Sequence, residues 1–133
     1  MVKALLTFIC GVMIFAAAPS PAHAIGEAAD LDGKTYTGEY GEKGAKGEGT
    51  DEFSFAHGKF VSGANEKFGF GEAFYSAMNL GDQTLFKAEA SKDQEKINWA
   101  GRIAGEEMSG IFTLRKEGRE PKEYWFKGTL KKS

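Results

Sequence analysis

The chain has 133 residues and carries 17 lysines and arginines against 19 aspartates and glutamates, which gives a formal net charge of −2 at pH 7. This nearly balanced charge argues against a nucleic-acid-binding protein, for which a strongly basic face is expected. The length suits one domain, and the single cysteine excludes an intramolecular disulfide.

Residues 1–24 have the layout of a secretory signal peptide. Lys3 precedes an apolar run over residues 4–18, and the segment ends in Ala22-His23-Ala24. The run is short for a bilayer-spanning helix, and the small residues at its end suit signal peptidase. We expect cleavage there, leaving one domain, residues 25–133, in the periplasm or outside the cell. A retained N-terminal helix is the alternative.

Short strands dominate the expected mature chain. All but one of the 18 glycines follow the leader, and few stretches between them are long enough for an ordinary helix. The segment of residues 34–40 alternates in the manner of a half-buried strand, with Tyr36 and Tyr40 on one face and threonines on the other. Similar alternation predicts eight strands, at residues 34–40, 50–56, 59–64, 72–79, 84–91, 97–103, 108–115 and 123–131.

Two of these strands need a local argument. Ala56-His57-Gly58 is typical of the tight turn of a hairpin between the second and third strands, and residues 65–71 then form a loop. Residues 84–91 also suit a short helix, because alanine, glutamate and lysine favour helices and Asp82 could cap one. The alternation of Phe86, Ala88 and Ala90 favours a strand.

Eight sequential antiparallel strands predict an all-β, up-and-down β-barrel, which removes free sheet edges by closing on itself. Glycines on the same face as the aromatic residues support closure, because a missing side chain permits the sharp bends of a small barrel. These glycines are Gly38, Gly101, Gly110 and Gly128. An open β-sandwich is the alternative.

Leu31-x-Gly33-Lys34-x-Tyr36, at the start of this eight-strand meander, resembles the calycins, the lipocalin and avidin type of ligand-carrying barrel. Lipocalins have tryptophan at the position of Tyr36. The run Phe55-x-x-Gly58-x-Phe60-x-Ser62, with Gly69-Phe70 and Trp99-x-Gly101, is also similar to small uncharacterised bacterial secreted proteins. The calycin resemblance implies a small ligand inside the barrel.

The sequence offers little for catalysis or for a metal. His57 is the single histidine after the leader, and we interpret it as an exposed turn residue. Asp51-Glu52 and Glu106-Glu107 could supply an acid and a base, but both pairs lie at strand starts or turns and fit solvated surface better. The glycine-rich residues 41–49 lack the Gly-Lys-Ser/Thr of a phosphate loop. We therefore expect no enzyme, no cofactor and no metal site.

The aromatic face is the candidate binding surface. If the barrel encloses a cavity, tyrosine and tryptophan donors, two serines and a set of phenylalanines face a ligand by strand parity. The predicted ligand-binding residues are Tyr36, Tyr40, Phe53, Phe55, Ser62, Phe70, Ser76, Phe86, Trp99, Phe112 and Tyr124. The two phenylalanines Phe68 and Phe70 could form a lid.

The leading hypothesis is therefore a non-catalytic exported barrel that binds a small apolar or amphipathic ligand in its interior. The alternative is a barrel filled by its own side chains, which acts as a structural or protein-interaction module. An outer-membrane barrel is less favoured, because the predicted strands are short for a bilayer and the chain ends in Lys131-Lys132-Ser133. We expect neither nucleic acid nor stable membrane insertion.

Overall fold

The computed structural model describes residues 27–132, so the predicted leader, Cys10 included, lies outside the described residues. Nine strands and one short helix follow one another along this part of the chain. They are β1 (Glu27–Ala28), β2 (Thr35–Glu42), β3 (Thr50–Ala56), β4 (Lys59–Ser62), α1 (Gly63–Lys67), β5 (Ala73–Leu80), β6 (Gln83–Lys92), β7 (Glu95–Ala104), β8 (Glu107–Lys116) and β9 (Lys122–Leu130). No helix in this region is long and apolar enough to cross a membrane.

Strands β2 to β9 form a closed antiparallel barrel of eight strands, as predicted. Each strand pairs with the next in sequence, and β9 returns to pair with β2, with Tyr36 opposite Leu130 and Glu42 opposite Tyr124. This last pairing excludes the open sandwich. Residues 84–91 lie within strand β6, which confirms the strand over the helix.

The junction between β4 and β5 is the shortest in the barrel. Only Lys59 and Phe60 of β4 have partners on β5. Farther along β5, the short strand β1 takes over the same edge, with Ala28 opposite Met78. The segment from β1 to β2 then crosses this end of the barrel and buries Leu31 with the core.

Helix α1 closes the opposite end, where the sequence predicted the last residues of a strand and then a loop. Strand β4 stops at Ser62 because its hydroxyl accepts a hydrogen bond from the Asn65 backbone N–H at 3.0 Å, as an N-cap does. The Asp51 carboxylate accepts from the N–H groups of Gly63 and Ala64 at 2.6 and 3.1 Å. Asp51 is therefore a half-buried capping residue, and the expectation of a solvated surface group is wrong for it. Burial raises its pKa.

The core is a continuous cluster of rings on the inner face of the barrel. Trp99 is 1% exposed and stacks on Phe112 with a centroid distance of 4.2 Å, and Phe112 stacks on Tyr124 at 4.7 Å. The aromatic face is thus the inner one, and the outer face carries most of the charged side chains.

Pairs of glycines face each other where the predicted bends occur. Gly38 is opposite Gly128, and Gly101 is opposite Gly110. A Cβ on Gly101 would lie 2.6 Å from Cε1 of Phe86, so the missing side chain lets the backbone of β7 rest directly on the core.

The carboxylate of Asp32 links the segment between β1 and β2 to the barrel through hydrogen bonds. The Asp32 Oδ1 accepts a hydrogen bond from the Tyr75 hydroxyl at 2.7 Å, and both carboxylate oxygens accept from the Gly58 N–H. The hydrogen bond from Tyr75 is the main reason that the pKa of Asp32 lies below its ordinary value of 3.8. Burial, with the Asp32 hydrogen bond second, raises the pKa of Tyr75 to about 12.

We predict a pH-dependent loss of stability in Asp32→Asn. Because the folded-state pKa of Asp32 is lowered, its stabilising effect is complete above pH 3.8 and disappears as the pH falls through the folded-state value. The variant should melt below the wild-type protein at pH 7, and the difference should shrink in thermal scans at about pH 3. Asp82→Asn, in an exposed turn, is the control. A difference that stays constant with pH would contradict the argument.

Candidate functional site

Most of the predicted ligand-binding residues lie in the packed core. Their inward orientation agrees with the orientation predicted from strand parity. The following residues are all buried: Tyr36, Tyr40, Phe53, Phe55, Ser62, Phe86, Trp99, Phe112 and Tyr124. Their rings contact one another, and the Ser62 hydroxyl is used to cap α1. A binding role for these residues remains a prediction. Their observed contacts are those of a filled core.

The inward orientation predicted for Ser76 is wrong. On β5, Ala73, Tyr75 and Ala77 face inward, whereas Ser76 is exposed on the outer wall. The inward parity follows from Tyr75, whose ring packs 4.9 Å from that of Phe55 while its hydroxyl reaches Asp32. Phe74, which is 72% exposed, lies on the same outer face as Ser76.

The two candidate lid residues pack at the helix end of the barrel. Phe68 is half-buried, with its ring centroid 5.6 Å from that of Tyr124. Phe70 is also half-buried and lies beneath the ammonium of Lys92, at 5.8 Å from ring centroid to nitrogen. Their observed contacts hold both rings against the core.

The residues considered for catalysis occupy structural positions. His57 is exposed in the β3–β4 turn, where it and Gly58 both have positive φ, as a two-residue hairpin of type I′ requires. Glu106 pairs with Lys132 at 3.0 Å, and Glu107 accepts a hydrogen bond from Thr129. Within residues 27–132, no cluster of His, Cys, Asp or Glu could hold a metal ion.

A groove of about 920 Å³ lies on the outer wall of the barrel, where the sequence analysis placed no site. We call it the outer groove. Its outward-facing lining comes from five adjacent strands, β5 to β9, and consists of Ser76, Met78, Leu85, Lys87, Ala100, Arg102, Ser109, Ile111, Trp125 and Lys127. Its volume is within the usual range for small-molecule sites.

The floor of the outer groove is formed where the backbone lies closest to the core. Gly101 and Gly110 line it, together with Phe86 and Phe126, whose side chains are buried in the core. A Cβ on Gly110 would lie 2.6 Å from the Gly101 Cα and would separate the two strands, whereas a Cβ on Gly101 would overlap the rings of Phe86 and Phe126. The glycine pair predicted to bend the barrel therefore also lowers its outer surface at this point.

Apolar side chains surround this floor on the outside of the barrel. Ile111 is 42% exposed and Met78 is 37% exposed, and Leu85 and Trp125 are half-buried beside them. The register places Leu85 next to Met78 and Ile111 next to Trp125 on neighbouring strands. The two pairs lie in different rows of the sheet, with Ala100 and the glycine floor between them, and together they give the outer groove a mostly apolar lining.

The charged side chains of the outer groove are all cationic. Lys87, Arg102 and Lys127 line it, and no Asp or Glu among residues 27–132 does. Lys127 lies 3.7 Å from Glu39, outside the groove. Within the described part of the chain, Lys87 and Arg102 form no ion pair.

The sequence contains a weak signal for this groove. Leu85 and Ile111 are apolar residues at outward positions of strands whose other outward residues are mostly polar. Leu85 and Ile111 indicate a site only once the strand order is known, because β6 and β8 then lie on either side of β7.

Comparison with known proteins gives no match: no protein family, no curated protein and no solved structure is significantly similar to this chain. The calycin resemblance therefore remains an expectation from the sequence.

Proposed function

We propose that this chain is an exported, non-catalytic binding protein that holds an apolar or amphipathic ligand in the outer groove. The observation that carries the proposal is the exposed apolar lining, with Ile111 42% and Met78 37% exposed, of a groove of about 920 Å³. Burial of such a surface against a ligand is favourable in proportion to the apolar area removed from water.

The proposal keeps the ligand class expected from the sequence and moves the ligand to the outer wall. An interior ligand would have to displace rings that already contact one another, such as the stacked pair Trp99 and Phe112. Close-packed cores resist such a rearrangement. The outer groove needs no rearrangement, because its apolar side chains are already exposed. Export rests on the leader, which lies outside the described residues.

A protein-interaction module is the second candidate function, and Phe74 favours it. Its side chain is 72% exposed on the outer face of β5, beside the Lys59 ammonium at 5.5 Å from the ring centroid. Exposed aromatic residues are frequent anchors in protein interfaces. Loss of a partner on Phe74→Ala, with ligand binding to the outer groove unchanged, would favour this function.

We predict that Ala100→Tyr blocks the outer groove. Ala100 is exposed at its centre, so a tyrosine there fills the groove without entering the core. In a titration with the neutral apolar dye Nile red, the variant should lose most of the fluorescence increase. Ala104→Tyr, on the same face of β7 but outside the groove, should retain it. Equal binding by wild type and Ala100→Tyr would contradict the proposal and return the ligand to the interior or to another surface.

A further inference from the structure

We infer that the ligand of the outer groove is a single-chain amphiphile with an anionic head, of the fatty-acid carboxylate type. This inference rests on the proposed function, because it assigns the chemistry of the ligand bound there. The groove combines an apolar lining with cationic side chains from three strands: Lys87 on β6, Arg102 on β7 and Lys127 on β9.

Two of these cations lack an anion within the described residues. Lys87 and Arg102 have no carboxylate partner, whereas several cations elsewhere on the barrel do, for example Lys96 at 2.9 Å from Glu89. An unpaired guanidinium beside apolar surface can bind a carboxylate through two parallel hydrogen bonds. Positive charge without a counter-charge in the groove therefore favours an anionic head and disfavours a cationic one.

The neighbouring rows of side chains limit the width of the cationic zone. Glu89 lies two residues beyond Lys87 on β6, and Glu107 lies two residues before Ser109 on β8. Alternate residues of a strand are about 7 Å apart, so carboxylates flank the zone on both sides. This narrow recessed zone suits the single anionic head of one acyl chain. It disfavours binding to a flat anionic membrane surface, which would also approach the flanking carboxylates.

The test compares three monomeric probes with alkyl chains of eleven or twelve carbons, using titration calorimetry on the purified protein. Dodecanoate should bind at least about tenfold tighter than dodecyl maltoside, because charge-assisted hydrogen bonds add to the shared apolar contact. Dodecyltrimethylammonium should bind more weakly than both. Decanoate, two methylenes shorter, should bind more weakly than dodecanoate, by up to about fourfold per buried methylene.

Charge-removing variants test the assigned residues. Lys87→Gln with Arg102→Gln should reduce dodecanoate affinity at least about tenfold and maltoside affinity much less, so the ratio of the two affinities should fall. Lys34→Gln with Arg115→Gln removes the same charge outside the groove and should have little effect on either probe.

The outcomes separate the inference from the proposed function. Equal binding of dodecanoate and the maltoside, both blocked by Ala100→Tyr, would overturn the anionic head and leave the groove as an apolar site. Binding of no probe, together with no response to Nile red, would overturn both proposals. Cosedimentation with anionic vesicles, or capture of an acidic peptide, without binding of free dodecanoate would also overturn the inference.

Discussion

Trp99→Ala is expected to cost about 3–5 kcal/mol of the free energy of unfolding, as large-to-small changes of buried aromatic residues do. Trp99 lies at the centre of the ring cluster, with the centroids of Phe60, Phe112 and Phe126 within 5.0 Å of its own. A loss of this size is a large fraction of the stability of a typical domain. Urea denaturation followed by circular dichroism measures it.

The second tryptophan provides a matched control. Trp125 is half-buried on the outer wall, and its indole N–H donates to the Ala45 carbonyl oxygen at 2.9 Å. Trp125→Ala should cost much less, on the order of 1 kcal/mol for the lost hydrogen bond together with some apolar contact. Equal costs for the two variants would contradict the filled-core structure.

A separate variant isolates the polar contact of Trp99. Its indole N–H donates to Oδ1 of Asn65 at 2.9 Å, and Asn65 is fully buried on α1. The Nδ2 of Asn65 has no partner within the described residues. Trp99→Phe keeps a ring in the core but leaves Oδ1 unpaired as well, which should add about 1–3 kcal/mol to the packing cost. Trp99→Phe with Asn65→Leu should recover part of that loss.

Gly38→Ala is expected to destabilise the barrel by at least about 3 kcal/mol, the upper part of the range for overpacked cores. The added Cβ would overlap the Lys127 carbonyl oxygen and lie 2.5 Å from the Gly128 Cα. Both are backbone atoms of β9, so no change of side-chain rotamer relieves the contact. The closing pair of strands must then separate. Thermal denaturation and amide hydrogen exchange on β2 and β9 measure the effect.

Gly47→Ala is the control for this prediction. A Cβ on Gly47 would meet mainly the Glu39 carboxylate, the far end of a flexible side chain that can move away. The control should therefore stay within about 0.5 kcal/mol of the wild type, as most surface substitutions do. Gly38→Ala with wild-type stability would show that β2 and β9 are farther apart than the structure places them.

The barrel could be predicted from the sequence because its strands are short, regularly spaced and alternating. Gly38, Gly101, Gly110 and Gly128 gave independent support, since they share the aromatic face and mark the bends. Helix α1 was missed although Ser62 is its local N-cap, because the helix has only five residues and its first two N–H groups bind Asp51, which reaches them from β3. Local sequence could not show that capping contact.

The candidate site could not be predicted, for a different physical reason. Parity assigns side chains to a face only when the apolar residues of a strand face inward, and on β5 Phe74 and Met78 are exposed while the Tyr75 ring packs on Phe55. The outer groove depends on lateral neighbours such as Leu85 and Arg102, which are distant in sequence and adjacent only through the register of β6 and β7.

The pairing of β2 with β9 determines when this chain can finish folding. Tyr36 near the start of the described residues pairs with Leu130 near their end, so the partner of β2 is the last of the described strands to be synthesised. Until then, β2 and β8 each have an unpaired edge that can recruit a strand from another molecule. Non-local pairing of this kind also slows folding. The barrel therefore cannot close before β9 has emerged, and a nascent chain that stalls before β9 should aggregate.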